Sequence, residues 1–251
     1  MKRLLAAGLC TVIALPAAAA APRNDKLYAA VEASRAGFLD LLSQIVNIDS
    51  GTGDVAGGDK VLALLTPRLA ALGGEVRREP AEAPGLPANL VATFHGTGKG
   101  RILVIAHVDT VFGPGTVAQR PFRMDTSRAY GPGVGDEKAG VVSAITALKL
   151  LHEIGFTKFG TITLLLETSE ERGSSGTTQL IKTLAAQNDV EFNMEPGDPP
   201  DLITVWRKGS QVIHIKVKGR AAHAGVAPQD GRNAATELIH QLDSIKNTVP
   251  L

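Results

Sequence analysis

Residues 101–109 read Arg-Ile-Leu-Val-Ile-Ala-His-Val-Asp. Ile102–Ala106 is apolar at every position, which is typical of a central strand buried on both faces of a sheet. The run then ends in two polar side chains, His107 and Asp109. Because ligand groups in open α/β sheets collect at the carboxyl ends of the strands, this end predicts a functional site.

Helical and extended patterns alternate on both sides of this strand. Before it, the spacing of apolar residues predicts helices over Leu27–Ile48 and Lys60–Leu72 and a strand over Asn89–Phe94. After it come a helix over Lys138–Ile154, a strand over Thr161–Leu166, a helix over about Ser175–Ala186 and a strand over Val190–Met194. This alternation predicts an α/β domain with a mostly parallel central sheet and flanking helices. The glycine-rich connection at residues 95–100 predicts a hairpin between the first two strands.

The pattern changes after the last of these strands. Gln211–Lys218 alternates apolar and polar side chains, which is typical of a strand with one wet face. An amphipathic helix follows from about Arg232. We therefore expect a first domain over residues 22–208 and the beginning of a second, α+β domain over residues 209–251.

The first 21 residues have the pattern of a secretory signal peptide. A basic start is followed by a short apolar run, Leu4–Leu15, and by an A-x-A-like cleavage site near Ala20 or Ala21. Such a run is too short to span a bilayer, which needs about 20 residues. A buried N-terminal helix is the alternative, although nothing in the segment is amphipathic. We expect a periplasmic or secreted protein with no membrane contact after cleavage.

Composition excludes several classes of function. The 251 residues are 44% hydrophobic and 20% charged, as in a globular protein with a real core. Removal of residues 1–21 takes two of the 26 Lys and Arg and none of the 25 Asp and Glu, leaving a net charge of about −1. No basic stripe suggests nucleic acid as a partner. The only cysteine, Cys10, lies in the predicted signal peptide, so any metal must be held by histidine and carboxylates.

Polar residues able to bind a metal stand at predicted strand ends or at a helix entry. They are His107, Asp109, Asp136, Glu170, Glu171 and Glu195. One histidine and several carboxylates, without a usable thiol, form the ligand set expected for hydrolytic Zn²⁺. In an extended chain His107 and Asp109 point the same way, so Asp109 can fix the tautomer of His107 while its other nitrogen binds metal.

Each of these residues has a simpler interpretation when it is taken alone. Asp136 precedes a helix, where aspartate often serves as the N-cap. Glu170 and Glu171 fit a solvated turn. The zinc hypothesis therefore rests on the residues jointly.

Five motifs follow one another along the chain. They are Ala106-His-Val-Asp-Thr-Val111, Tyr130-Gly-Pro-Gly-Val-Gly-Asp-Glu-Lys-Ala-Gly140, Thr168-Ser-Glu-Glu-Arg-Gly-Ser174, Met194-Glu-Pro196, and His223-Ala-Gly225 with Gly231-Arg-Asn-Ala234. Together they resemble the di-zinc metallopeptidases that include glutamate carboxypeptidase and, more distantly, acetylornithine and succinyl-diaminopimelate deacylases. The order and spacing match from about Leu27 to Leu251.

The resemblance implies two zinc ions per complete site. His107 and Glu195 would bind the first zinc, Glu171 would bind the second, and Asp136 would bridge both. Glu137 departs from the family, in which an Asp commonly follows the bridging residue.

The resemblance also implies three catalytic roles. Glu170 would be the general base that takes a proton from the metal-bridging water. Asp109 would orient the histidine ligand, and His223 would steady the tetrahedral oxyanion, often across a dimer interface. The alternative for His223 is a turn-forming histidine beside Gly225. The second domain would be a lid and dimerisation domain, which makes a homodimer the expected assembly.

The implied activity is that of a zinc-dependent, glutamate carboxypeptidase-like exopeptidase that cleaves a C-terminal peptide or amide bond in a small peptide. An N-acyl amino-acid deacylase of the same family stays open. The family closes its second zinc site with a late histidine that this sequence lacks, so we expect a fragment or a truncated chain. An inactive secreted metal- or peptide-binding protein, with one metal on His107, Asp136 and Glu195, is the third hypothesis.

Overall fold

A computed structural model describes residues 23–197, 202–209 and 213–248. The predicted signal peptide lies outside these residues. The chain divides into two compact units, residues 1–197 and 198–251. The predicted domain boundary at residues 208 and 209 stays a prediction. Among the described residues, no helix has the length and apolar character needed to cross a membrane.

The described part of the first unit contains five α-helices and seven strands. The helices are α1 (Asp25–Val46), α2 (Val55–Ala71), the four-residue α3 (Thr116–Gln119), α4 (Ala139–Glu153) and α5 (Thr178–Gln187). The strands are β1 (Glu75–Glu79), β2 (Asn89–His95), β3 (Arg101–His107), β4 (Arg123–Met124), β5 (Ala129–Tyr130), β6 (Thr161–Glu167) and β7 (Val190–Asn193). Every helix and strand predicted in this unit is present, whereas α3, β1, β4 and β5 were not predicted.

The central sheet has five strands in the order β1-β2-β6-β3-β7. β3 lies between β6 and β7 and is parallel to both. β2 is antiparallel to β1 and to β6, so β1 runs in the same direction as β6 and only β2 is reversed. The predicted α/β class with a mostly parallel sheet and flanking helices is therefore confirmed.

The hairpin predicted between β2 and β3 is wrong. β6 lies between the two strands and pairs with both of them. The glycine-rich connection binds the residues just before β6 instead: Gly96 N donates to Gly160 O at 2.9 Å, and Gly98 N donates to Phe159 O at 2.7 Å. A parallel neighbour from later in the chain has replaced the local partner.

Helices cover both faces of this sheet. On one face, α1, α2 and α4 pack against strand residues that include Leu90 and Leu164. On the other face, α5 places Leu184 against Val91 and Leu103. Because successive strand side chains point to opposite faces, neighbouring apolar residues separate into these two clusters. This two-sided burial explains why the middle strands are apolar at nearly every position.

The second unit contains one α-helix among its described residues, α6 (Ala234–Thr248). The helix expected from about Arg232 is therefore confirmed. A short 3₁₀ turn, Pro228–Asp230, precedes it.

The strand predicted over Gln211–Lys218 is not formed in its described part, residues 213–218. A strand needs a hydrogen-bonded neighbour, and alternating polarity alone does not supply one. Among the described residues of this unit, only an isolated antiparallel bridge between Arg220 and Arg232 is present. The alternating pattern thus identifies an amphipathic segment, but it wrongly predicts that the described part of this segment pairs as a strand.

Candidate metal centre

Three parallel strands bring their carboxyl ends to one edge of the sheet. His107 is the last residue of β3, Glu170 lies in a 3₁₀ turn after β6, and Glu195 follows β7. The Nε2 atom of His107 lies 3.3 Å from Oε1 of Glu195 and 3.9 Å from Oε2 of Glu170. The imidazole is almost fully buried, at 1% exposure, whereas both carboxylates reach solvent. One buried nitrogen thus faces acidic groups from separate strand ends.

A glycine-rich loop delivers a further carboxylate to this nitrogen. Oδ1 of Asp136 lies 3.1 Å from Nε2 of His107. Gly133 makes the approach possible, because its φ is +70° and a Cβ on it would lie 2.4 Å from Cγ2 of Thr110. The loop then leads into α4, which begins at Ala139.

Two sets of side chains have the spacing of metal ligands. One set is His107, Asp136 and Glu171, and the other is His107, Glu137 and Glu195. In each set the possible ligand atoms lie within 4.8 Å of one another. The assignment of Asp136 as the ligand shared by two zinc ions stays a prediction. What the structure brings together is a single histidine and carboxylates on either side of it.

Glu137 also belongs to this centre, although it was not predicted as one of its ligands. It is 1% exposed, and its Oε1 accepts a hydrogen bond from the backbone N–H of His107. Its Oε2 is buried and has no hydrogen-bond partner among the described residues. Burial first, and the nearby charges of Glu195 and Asp136, raise the pKa of Glu137 to about 8. The available signal was its position directly after Asp136.

Asp109 connects the histidine to the turn after β6. Its Oδ1 lies 3.4 Å from Nδ1 of His107, and its backbone carbonyl lies 3.0 Å from the same nitrogen. Since both neighbours are acceptors, Nδ1 carries the proton and Nε2 is left free to bind a metal. The Asp109 carboxylate also accepts bonds from the backbone N–H groups of Glu170 and Glu171 at 3.2 and 3.3 Å, and from the Thr52 hydroxyl at 2.6 Å.

The electrostatic field at this centre favours a cation. Burial of His107 opposes its protonation, but the hydrogen bond to Asp109 and the charges of Glu137 and Glu195 outweigh it and raise the pKa of His107 to about 10. A proton on Nε2 is thus held by the same carboxylates that would hold a metal. Because a metal ligand must be deprotonated, a bound metal would take the place of this proton.

A buried polar network supports the turn after β6. Oδ1 of Asn89, a fully buried residue of β2, accepts bonds from Thr168 N at 3.2 Å and from the Thr177 hydroxyl at 3.1 Å. Nδ2 of Asn89 donates to Gly176 O at 3.1 Å. One amide side chain thus holds both ends of the segment that carries Glu170. We did not predict a role for this residue, whose signal in the sequence is a polar side chain at the start of an apolar strand.

His223 belongs to the second unit, where it organises a turn. Its Nδ1 accepts bonds from the backbone N–H groups of Gly225 and Val226 at 3.2 and 3.1 Å. With Nδ1 as the acceptor, the neutral ring carries its proton on Nε2, which is therefore a hydrogen-bond donor. The ring is exposed.

Comparison with known proteins places this centre in a family. The profile of peptidase family M20/M25/M40 matches residues 103–249, more than half of the chain and all the candidate ligands. The chain belongs to this family.

Relatives within the M20/M25/M40 family differ in the reactions that their names record. The chain is 35% identical over 237 residues to carboxypeptidase G2 of Pseudomonas sp. (strain RS-16), covering 94% of this chain and 57% of that protein. It is 31% identical over 222 residues to succinyl-diaminopimelate desuccinylase of Parvibaculum lavamentivorans, covering 81% of this chain and 53% of that protein. The chain thus spans little more than half the length of these relatives.

Solved structures support the same fold. Aminopeptidase PepT from Bacillus cereus superimposes with a TM-score of 0.62 at 24% identity, covering 85% of this chain and 56% of that one. Human carnosine dipeptidase 1 superimposes with a TM-score of 0.58 at 19% identity, covering 67% and 40% respectively. The described α/β architecture is therefore that of known peptidases.

Proposed function

We propose that this chain carries the centre of a zinc-dependent, glutamate carboxypeptidase-like exopeptidase that hydrolyses the bond to the C-terminal amino acid of a small peptide. The observation that supports it most is the position of Nε2 of His107, 3.1 Å from Asp136 and 3.3 Å from Glu195. Such a group at the carboxyl edge of a sheet, in an M20/M25/M40 member, has the composition of a hydrolytic zinc site.

The residues present fit zinc as the metal. One imidazole nitrogen and several carboxylate oxygens are ligands that zinc accepts, and His107 is already oriented with Nε2 toward the carboxylates. The unpartnered Oε2 of Glu137 is a buried polar atom for which a cation would provide a partner. His107, Asp136 and Glu195 would hold one zinc, and Asp136 and Glu171 would hold a second.

Zinc at this centre, when bound, would polarise the scissile carbonyl and lower the pKa of the attacking water. Glu170 lies outside both sets of candidate ligands, and its carboxylate is partly exposed. It would take the proton from the attacking water and pass it to the nitrogen of the leaving amino acid. Asp109 would keep the proton on Nδ1 of His107 throughout.

His223 is proposed as the donor to the oxyanion that develops on the substrate carbonyl. Its Nδ1 accepts two backbone hydrogen bonds, which leaves Nε2–H as the donor that this role needs. We also propose a homodimer through the second domain and export to the periplasm or beyond, the latter from the pattern of residues 1–21.

An N-acyl amino-acid deacylase is the second candidate function. The 31% identity to a succinyl-diaminopimelate desuccinylase favours it, because the name of that relative records the removal of an acyl group. The two candidates share the proposed metal centre and differ in the acyl group that is released.

Hydrolysis by the full chain tests the proposal and separates the two candidates. A peptide with a C-terminal glutamate and an N-succinyl amino acid are each incubated with the chain after chelation and after zinc is restored. We expect zinc-dependent release of the C-terminal amino acid, faster from the peptide. Faster release from the N-succinyl compound would favour the deacylase. Zinc binding without release of either product would overturn both in favour of a metal-binding protein.

A further inference from the structure

A basic cavity in the first unit is bounded by the end of α3, the β4–β5 hairpin and the glycine-rich loop. Its volume is about 360 Å³, which suits a small ligand. Among the described residues, its wall contains two arginines, Arg120 and Arg123, and no acidic residue. None of the candidate metal ligands belongs to this wall. The cavity therefore shares no residue with the metal centre.

An aromatic ring supports each of the two guanidinium groups. The guanidinium of Arg123 lies over the ring of Tyr130, 4.0 Å from its centre, and that of Arg120 lies over Phe112 at 5.1 Å. Stacking uses the flat face of a guanidinium and leaves the N–H groups at its edge free to bind. Neither guanidinium forms a hydrogen bond or an ion pair with a residue that the structure describes. Two cations with unused donors thus line one cavity.

The hairpin that carries Arg123 is fixed by hydrogen bonds. Asp125 closes its turn by accepting two backbone N–H groups, each at 2.8 Å, and it accepts the Tyr130 hydroxyl at 2.7 Å. The last bond holds the ring that lies against Arg123, its direct partner in the β4–β5 ladder. Just before β4, Phe122 N donates to Oδ1 of Asn47 at 2.8 Å. The backbone beneath the cavity is therefore arranged before any ligand arrives, which lowers the cost of binding.

The acidic residues on the neighbouring segments have other partners. Asp125 is occupied by the three donors of its own hairpin. Asp136, further along the glycine-rich loop, lies 3.1 Å from Nε2 of His107. Asp49, after α1, accepts backbone N–H groups on either side of the start of α3 at 2.7 and 2.9 Å. The positive charge of the cavity wall is thus left without a carboxylate.

We propose that this cavity binds a phosphate group between the guanidinium groups of Arg120 and Arg123. A guanidinium presents parallel N–H groups that match two oxygens of an oxyanion, and the charged pair gives a strong hydrogen bond. A phosphate ester carries a charge of about −1.5 to −2 at pH 7 and three acceptor oxygens, so it matches two guanidinium groups better than a carboxylate does. The phosphate has two sources, the free inorganic ion or an ester of a small molecule.

Binding measurements on the full chain, loaded with zinc and freed of excess metal, test this inference. Inorganic phosphate, glycerol 3-phosphate and glycerol are titrated by isothermal calorimetry at constant ionic strength. Each titration is repeated after chelation, because phosphate held by zinc is lost with the metal. Arg120→Gln and Arg123→Gln are compared with Arg123→Lys and with Arg128→Gln. The last variant is the matched control, since Arg128 is an exposed arginine of the same hairpin outside the cavity wall.

We expect the phosphate binding that survives chelation to weaken about 10- to 100-fold in Arg120→Gln and in Arg123→Gln, as loss of a charge-assisted hydrogen bond does. Arg128→Gln lowers the net charge equally and should have no effect. Arg123→Lys should lose less affinity than Arg123→Gln, and glycerol should not bind. The phosphate probe that binds more tightly identifies the source of the group.

Loss of all phosphate binding on chelation would overturn the inference, because the ion would then be held by the metal. Equal affinity in the unaltered chain and both glutamine variants would also overturn it, as would an equal loss in Arg128→Gln, which would show attraction by net charge alone. If Arg123→Gln fails to fold, Arg123→Lys decides, since an affinity equal to that of the unaltered chain would contradict two-oxygen binding. The inference is independent of the proposed function: hydrolysis can fail while phosphate still binds, and the reverse.

Discussion

Nε2 of His107 lies 3.1 Å from Oδ1 of Asp136, where the end of β3 meets the loop that enters α4. The two residues come from different elements, and the loop reaches the strand because Gly133 leaves room for Thr110. In the metal-free state a proton on the imidazole balances the surrounding carboxylates. A divalent cation would balance them better because it carries more charge and accepts several ligands at once.

Asp136→Asn should weaken zinc binding more than any change outside the ligand set. Loss of its charge removes one charged ligand from the set that also contains His107 and Glu171. By our proposal Asp136 bridges both zinc ions, so the neighbouring zinc loses the same ligand. We expect at least about a 100-fold increase in the zinc Kd, compared with the 10- to 100-fold typical of residues that only support a ligand. Isothermal titration gives this value. Asp59→Asn, an exposed residue paired with Arg78, is the matched control, and equal zinc affinity in the two variants would contradict the assignment.

Asp109→Asn should weaken zinc binding by about 10- to 100-fold, less than loss of a ligand. The neutral amide loses the charge that favours the proton on Nδ1 of His107 and holds the turn of Glu170 and Glu171 less firmly. Thr52→Val removes only one hydrogen bond to Asp109 and should have a smaller effect of the same sign. An Asp109→Asn affinity equal to that of the unaltered chain would show that Asp109 does not support the histidine.

Asn89→Ala should destabilise the chain by roughly 2–4 kcal/mol, because it leaves buried partners of a fully buried amide without hydrogen bonds. These partners include Thr168 N and Gly176 O. Denaturant unfolding of the metal-free chain measures the change. Thr97→Ala removes exposed hydrogen bonds to Thr157 and serves as the control. Similar losses of unfolding free energy in both variants would mean that the buried network around Asn89 stabilises the chain no more than exposed hydrogen bonds do.

The metal-free chain should lose stability as the pH rises from about 4.5 to about 7, in part through Glu167. Burial raises the pKa of this carboxyl from 4.5 to about 7, against the opposing hydrogen bond from Ser174. A raised folded-state pKa gives stability that is fully present below the unfolded value and is lost as the pH passes the folded value. The contribution is on the order of 3 kcal/mol.

Glu167→Gln should remove this part of the pH dependence, because the amide does not ionise. Thermal unfolding in chelator at several pH values measures it, with Glu191→Gln on the exposed face of β7 as the control. The pKa values of His107 and Glu137 are also raised, so loss of their protons lowers the stability of the chain in the same direction. The informative quantity is therefore the difference in pH dependence between the variants. Parallel pH curves for Glu167→Gln and the unaltered chain would refute the assignment.

The edge of the metal centre was predictable from the sequence because it depends on local pattern. The apolar run before His107 marks a buried strand, and the polar residues that follow β6 and β7 come where parallel strands end. Asp136 could be placed near them because a glycine-rich loop precedes its helix. These features need only the order of residues and the rule that parallel strands end at a common edge.

The remaining features depend on contacts between distant segments. β6 lies between β2 and β3, and residues 157–160 before it bind the glycine-rich connection; no local pattern reveals that choice of neighbour. The burial of Glu137 follows from a bond to the backbone of His107, and the role of Asn89 follows from bonds to residues far along the chain. Pairing partners of this kind are set by the folded structure.

Zinc content and turnover, measured together in Glu170→Gln, distinguish metal binding from proton transfer. We propose that His107, Asp136, Glu171 and Glu195 bind zinc while Glu170 transfers the proton. Zinc per chain is measured after dialysis, and zinc-dependent hydrolysis of a peptide with a C-terminal glutamate is measured on the same samples. We predict unchanged zinc content and a loss of turnover of about 100-fold or more. Unchanged turnover would show that Glu170 is not the proton-transfer residue, and a parallel loss of zinc would show that it acts on the metal instead.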